Sequence, residues 1–159
     1  MVFADKLAAE IAAYIQSQKV RAWALATGLL AAIYSIGIAV LAGSVVFAAP
    51  SFETILALLW AGGAIAGATS LLVLGAIREP PELVRKAAHV GLWVGNFVAS
   101  GNILVFPIVF PLALVPVIGG SIVLWQESVF GGALYMSLPF MSLAVIVVAW
   151  LVGIPLGAA

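Results

Sequence analysis

The chain has 159 residues, of which 65% are hydrophobic and only 8% are charged. Soluble domains are about 45–50% apolar and about 25% charged, so the composition excludes a water-soluble monomer, and its hydrophobicity excludes a disordered chain. The high hydrophobicity and the few charges indicate a multi-pass membrane protein. Six basic and six acidic residues balance to zero, which excludes a basic surface for nucleic acid.

The charged residues divide the sequence into four long uncharged blocks. These blocks cover 22–52, 54–77, 87–126 and 128–159. A helix needs about 20 apolar residues to cross the hydrocarbon core, and only helices and closed barrels satisfy their backbone hydrogen bonds there. Because the blocks lack the alternation and short turns of barrel strands, we expect an all-α, multi-pass transmembrane helical bundle.

The N-terminal segment, residues 2–18, predicts an amphipathic helix. Its apolar side chains cover one arc of about 120° at helical spacing: Phe3, Leu7, Ile11, Tyr14 and Ile15. The helix could lie on the membrane surface, dock a partner, or extend the first span into the cytoplasm and pack on its own bundle. Charges throughout the first 21 residues predict that no cleavable signal peptide is present.

Two spans follow in clear succession. The first is expected at 22–48, before Pro50, and the second at 52–77. Ser51 is the expected N-cap of the second span, with Glu53 in its first turn.

The third uncharged block is too long for one ordinary crossing. We expect a third span at 82–106, a turn around Phe106–Pro111 and a fourth, shorter span at 112–126. One long kinked helix followed by a re-entrant segment is the alternative. A last span is expected at 131–154, kinked by Pro139, so that five spans are favoured and four are possible.

Basic residues give the predicted orientation. All six lie before the first span or between the second and third: Lys6, Lys19, Arg21, Arg78, Arg85 and Lys86. Two crossings separate the clusters, so both fall on one side, and the positive-inside rule predicts a cytoplasmic N-terminus. The predicted organisation is a cytoplasmic amphipathic helix at 1–21 and a transmembrane bundle at 22–159, with the side of the C-terminus left open.

Small residues recur at helical spacing in three spans. Such stripes let helix backbones approach closely in lipid. They serve packing within the bundle or association with other copies or subunits, and they comprise Gly28, Ala32 and Ser35, then Gly63 and Gly67, then Gly91 and Gly95.

The third span carries the one concentrated polar pattern. His89, Asn96 and Ser100 are separated by 7 and 4 residues, which places them within about 20° on one helix face. Polar groups in lipid are costly unless partnered, so this face is expected to point at protein or a cavity. It is either a pore-lining or ligand-binding face or a set of interhelical hydrogen bonds near the interface.

Catalytic chemistry is not expected. The chain has one histidine and no cysteine, so thiol chemistry, cysteine metal sites and multi-histidine metal sites are excluded. We therefore predict no enzyme activity, no metal site and no cofactor, with His89 as a single axial ligand for haem or a chlorin the remaining option.

Three functions are compatible with these features. The first is a non-catalytic subunit of a larger membrane assembly, such as a respiratory, transport or secretion complex, with the lipid bilayer and other membrane subunits or copies of itself as partners. The second is a small homo-oligomeric channel or transporter that uses the face of His89, Asn96 and Ser100. The third is a hydrophobic filament subunit that resembles conjugation-type pilins, which have two apolar helices joined by a short basic loop, fewer than predicted here.

Overall fold

A computed structural model describes residues 2–48, 51–105 and 110–154. All regular structure in these ranges is helical, in agreement with the predicted helical bundle. Five helices follow one another along the chain: α1 (Val2–Ala48), α2 (Phe52–Ala76), α3 (Glu82–Val105), α4 (Phe110–Glu127) and α5 (Val129–Leu151).

The first helix joins two predicted elements. Residues 2–18 and the first span at 22–48 form one continuous helix of 47 residues. Residues 2–27 contain neither glycine nor proline, so nothing in the local sequence interrupts the helical hydrogen bonds there. The amphipathic character of residues 2–18 and its role stay predictions.

The second helix has a hydrogen-bonded group at each end. Ser51 is confirmed as its N-cap: the Ser51 hydroxyl accepts from the Thr54 backbone N–H, and the Thr54 hydroxyl accepts from the Ser51 N–H. At the other end, the guanidinium of Arg21 donates to the carbonyls of Gly75 and Ala76, each at 3.0 Å. A cation at a helix C-terminus satisfies free carbonyls and complements the helix dipole.

The remaining helices lie near their predicted positions. The third, fourth and fifth agree with the predicted spans to within three residues at each end, whereas most of the predicted turn, residues 106–109, lies outside the described residues. Ser128 alone separates α4 from α5, and its hydroxyl caps α5 by accepting from the Gly131 N–H at 3.1 Å. Pro139 lies inside α5, which continues through it as one helix.

The five helices pack around a shared core. Helix α1 packs on α2 and α4, α3 packs on α2, α4 and α5, and α4 and α5 form a hairpin. The core contains ten buried side chains from all five helices: Ala31, Ala68, Leu71, Leu92, Ala99, Ile103, Ala113, Val117, Leu124 and Tyr135.

Four stretches of these helices are long and apolar enough to cross a membrane. They are Ala9–Leu41, Ala57–Ala76, Phe110–Glu127 and Val129–Leu151. Large apolar side chains lie exposed along them, for example Ile33, Ile36 and Val40 of α1, as expected where lipid is the solvent. The chain is accordingly an integral membrane protein built as a helical bundle.

Candidate functional site

The polar face of α3 points into the protein. Asn96 is 1% exposed, Ser100 is buried and the imidazole of His89 is largely buried. The neighbours of this face are therefore side chains and backbone of other helices.

Asn96 and Tyr135 connect α3 to α5 by two hydrogen bonds. The Asn96 side-chain amide donates to the Tyr135 backbone carbonyl at 2.6 Å. In return, the Tyr135 hydroxyl donates to the carbonyl of Leu92, one turn before Asn96, at 3.1 Å. Trp93 packs edge-on against the Tyr135 ring with centroids 5.1 Å apart. Asn96, Leu92 and Tyr135 therefore connect α3 to α5.

Pro139 explains why the Tyr135 carbonyl is free to accept. Proline has no N–H, so a proline inside a helix leaves the carbonyl four residues earlier without its usual donor. That carbonyl belongs to Tyr135, and Pro139 itself is fully buried. In a low-dielectric interior an unpaired carbonyl is costly, and the Asn96 amide replaces the missing donor.

His89 faces an acid from another helix. Its Nε2 lies 3.5 Å from Oε1 of Glu127, at the C-terminal end of α4. The geometry is too poor for a hydrogen bond, and Nε2 has no hydrogen-bond partner among the described residues. The pair is therefore a charge contact when the imidazole is protonated, and it brings the start of α3 beside the end of α4.

Two buried oxygens on the same face lack protein partners. They are Oδ1 of Asn96 and the Ser100 hydroxyl, considering the described part of the chain. Asn102, on another side of α3, donates to the Tyr34 hydroxyl of α1 at 3.1 Å. Buried polar atoms are normally hydrogen-bonded to protein or ordered water.

A small cavity lies beside Asn96 at the centre of the bundle. The space open to the centre of a water molecule is about 20 Å³. Its polar walls are the side chains of Tyr34, Ser35, Asn96 and Tyr135, and its apolar walls include Ala64 and Val117.

The predicted small residues lie at close helix crossings. A Cβ atom built on Gly67 of α2 would lie 2.8 Å from the Cα atom of Gly95 of α3. Gly63 and Gly91 meet Val98 and Ser70 across the same pair of helices, and Gly28 of α1 lies against Leu71 of α2. Ser35 and Ala32 of α1 are buried and half-buried, and the Ser35 hydroxyl bonds within its own helix to Ala31.

Candidate metal ligands do not form a cluster in the described residues. Within them, no group of three or more histidine, cysteine, aspartate or glutamate side chains is close enough to hold a metal ion. Haem or chlorin ligation by His89 stays a prediction, and the atom that would ligate is the one that faces Glu127.

Sequence reasoning missed the partners of the polar face. Tyr135, Pro139 and Tyr34 were not among the predicted site residues, yet each determines how an α3 side chain is bonded. Pro139 carried a usable signal, since a proline within a span requires a donor for the carbonyl one turn earlier.

Comparison of the chain with protein families, curated proteins and solved structures finds no match.

Proposed function

We propose that this chain is a non-catalytic integral membrane subunit of a larger assembly, of the kind that respiratory, transport or secretion complexes contain. It crosses the bilayer five times, with its N-terminus in the cytoplasm, and it contacts its partner through the N-terminal part of α1.

The length of α1 carries this proposal. Its 47 residues span about 70 Å at 1.5 Å per residue, whereas a bilayer with its headgroups is about 40–45 Å thick. The uncharged part, residues 22–48, is long enough to cross. Although the apolar stretch of α1 begins at Ala9, the five charges of residues 2–21 favour a position beyond the membrane for this part, which we call the α1 extension.

The bundle covers the α1 extension only near its base. Arg21 bonds to the end of α2, and the guanidinium of Arg78 lies 5.3 Å from the centre of the Tyr14 ring. Farther out, Leu7 and Ile11 are 47% and 51% exposed. Since the extension continues the membrane-crossing helix without a break, it cannot lie flat in the membrane surface. An apolar stripe that projects into water fits contact with another protein.

Contacts between helix ends support five crossings. The hydrogen bonds of Arg21 bring the middle of α1 beside the end of α2. The contact of His89 with Glu127 brings the first third of α3 beside the end of α4. Successive helices thus alternate in direction. Although α3 is more polar than the other helices, α2, α4 and α5 pack around it, so its asparagines are shielded from lipid. With the basic residues in the cytoplasm, five crossings place the C-terminus outside.

The test is isolation of the tagged chain from its native membrane in mild detergent, followed by mass spectrometry of the proteins that co-purify. We expect Leu7→Asp to abolish co-purification of the partner, because it puts a charge in the apolar stripe. Ala12→Asp is the matched control: it adds the same charge on the other side of the same helix and should retain the partner.

Two results would contradict the proposal. One is a chain that purifies without stoichiometric partners, and the other is equal behaviour of the two variants. Solute flux through liposomes that contain only this chain would favour the channel alternative, which the unpartnered oxygens of Asn96 and Ser100 make chemically reasonable.

A further inference from the structure

We infer that one water molecule is bound at the centre of the bundle, where it hydrogen-bonds to Asn96 and links α3 to α1. The inference rests on the unpartnered oxygen of Asn96 and on the cavity beside it, and it is independent of the proposed function.

The Asn96 side chain needs one further hydrogen-bond donor. Its amide nitrogen is used by the Tyr135 carbonyl at 2.6 Å, whereas its Oδ1 has no partner among the described residues. Reversing the amide would place two acceptor oxygens against each other, so the orientation is determined by the Tyr135 carbonyl. At 1% exposure, bulk water cannot supply the missing donor.

The cavity has the right size for one water molecule. Its 20 Å³ of space open to water centres exceeds the roughly 10–15 Å³ that a single bound water requires. Larger ligands do not fit this space, and because no charged side chain lines it, an ion would lack compensation for its lost hydration.

Two hydroxyl groups of α1 complete the site. The Tyr34 hydroxyl accepts from Asn102 at 3.1 Å, which leaves its own proton to donate. The Ser35 hydroxyl donates to the Ala31 carbonyl at 2.7 Å, which leaves its lone pairs to accept. The bound water therefore donates to Asn96 Oδ1 and to Ser35 and accepts from Tyr34. Three hydrogen bonds are typical of a buried structural water.

This water makes the polar groups of the bundle continuous. Asn102 bonds to Tyr34, Tyr34 to the water, the water to Asn96, and Asn96 to Tyr135. The chain of hydrogen bonds thus connects α1 and α5 through α3. Asn102, Tyr34, Asn96 and Tyr135 then belong to one hydrogen-bonded network.

The experiment uses the full chain in phospholipid nanodiscs, labelled with nitrogen-15 on asparagine only. Asn96 and Asn102 are the two asparagines in the sequence, so the spectrum holds two side-chain amide signals. We expect a nuclear Overhauser cross-peak between the Asn96 amide protons and water. The cross-peak should persist in Tyr135→Phe, which excludes relay through the exchanging Tyr135 hydroxyl proton.

Ser35→Val tests the location of the water. The added methyl group occupies the cavity and removes one partner, so the Asn96 cross-peak should be lost. Ser44→Val is the matched control, because Ser44 lies on the exposed side of the same helix and the change should leave the cross-peak intact. An unchanged circular dichroism spectrum and a dispersed Asn102 side-chain signal show that each variant is folded.

Absence of the cross-peak in the unaltered chain, or its persistence in folded Ser35→Val, overturns the inference. If Ser35→Val does not fold, a crystal structure of the unaltered chain from a lipid phase decides the question. Density for an ordered water within hydrogen-bond distance of Asn96 Oδ1 supports the site, and a dry cavity at a resolution that shows other waters contradicts it.

Discussion

A proline inside a membrane helix leaves one carbonyl without its helical donor, and in α5 the donor is replaced by a side chain from another helix. Asn96 of α3 donates to the Tyr135 carbonyl, which Pro139 leaves free. The two residues are therefore energetically coupled although they do not share a helix. If the Asn96 amide is removed, the Tyr135 carbonyl is left unpaired as long as residue 139 is proline. With any other residue at position 139, its backbone N–H can take the place of the amide.

This coupling predicts the outcome of a double-mutant cycle. Asn96→Leu should reduce the free energy of unfolding by about 1–3 kcal/mol, the usual cost of an unsatisfied buried polar group. In a Pro139→Ala background the new backbone N–H supplies the Tyr135 carbonyl, so the same change should cost measurably less. Reversible unfolding in mixed micelles measures the four free energies.

Asn102→Leu provides the control for that cycle. Asn102 is also a buried asparagine of α3, but it bonds to Tyr34 of α1, so its effect should be the same with proline or alanine at position 139. Equal costs of Asn96→Leu in both backgrounds would refute the coupling.

At the residue scale, the sequence predicted a face but not its partners. The spacing of His89, Asn96 and Ser100 placed them on one side of a helix, and the cost of polar groups in lipid turned that side inward. Their partners, Tyr135 and Glu127, lie on other helices, so no local pattern on α3 could identify them.

At the element scale, the crossing of α2 and α3 depends on two glycines that face each other. Gly67 and Gly95 lie where the helices meet, and a Cβ on either would press on the backbone of the other helix. Backbone cannot move aside as the end of a flexible side chain can, so the helices would have to separate.

Alanine at position 67 should therefore destabilise the bundle. We expect Gly67→Ala to reduce the free energy of unfolding by about 1–3 kcal/mol, the range for overpacking a close contact. Gly62→Ala is the matched control on the same helix, because a Cβ there meets nothing within 4 Å. It should leave stability unchanged or raise it by up to about 1 kcal/mol through better helix propensity. A smaller loss for Gly67→Ala than for Gly62→Ala would argue against the close crossing.

Helix bounds were largely predictable from prolines, charges and caps. In the sequence, Pro50 and Ser51 indicated the boundary between the first two helices, whereas the cap of α5 by Ser128 was not predicted. The continuity of α1 was harder to predict, because a change from charged to apolar residues near Arg21 resembles a boundary. Backbone hydrogen bonds do not depend on that change, so the helix continues through it.

At the scale of the whole molecule, the proposed topology combines charge placement with contacts between helices. The basic residues lie in the first half of α1 and in or next to the connection between α2 and α3. The connection between α4 and α5, at Glu127 and Ser128, lies at the same end of the bundle because Glu127 contacts His89. The sequence did not predict on which side of the membrane the C-terminus lies, because the last third of the chain has no basic residue. The contact between His89 and Glu127 supports the proposed direction of α4.

Five crossings predict that the C-terminus lies outside the cytoplasm. Because the chain contains no cysteine, cysteines introduced one at a time can test this prediction. In intact cells, a membrane-impermeant maleimide should label Val152→Cys, at the end of α5, as readily as Phe52→Cys, at the outer start of α2. Glu79→Cys, in the connection between α2 and α3, should be labelled only after lysis. All three positions are exposed, so reactivity reports the side of the membrane rather than burial. Labelling of Val152→Cys only after lysis would instead establish an even number of crossings and would contradict the five proposed here.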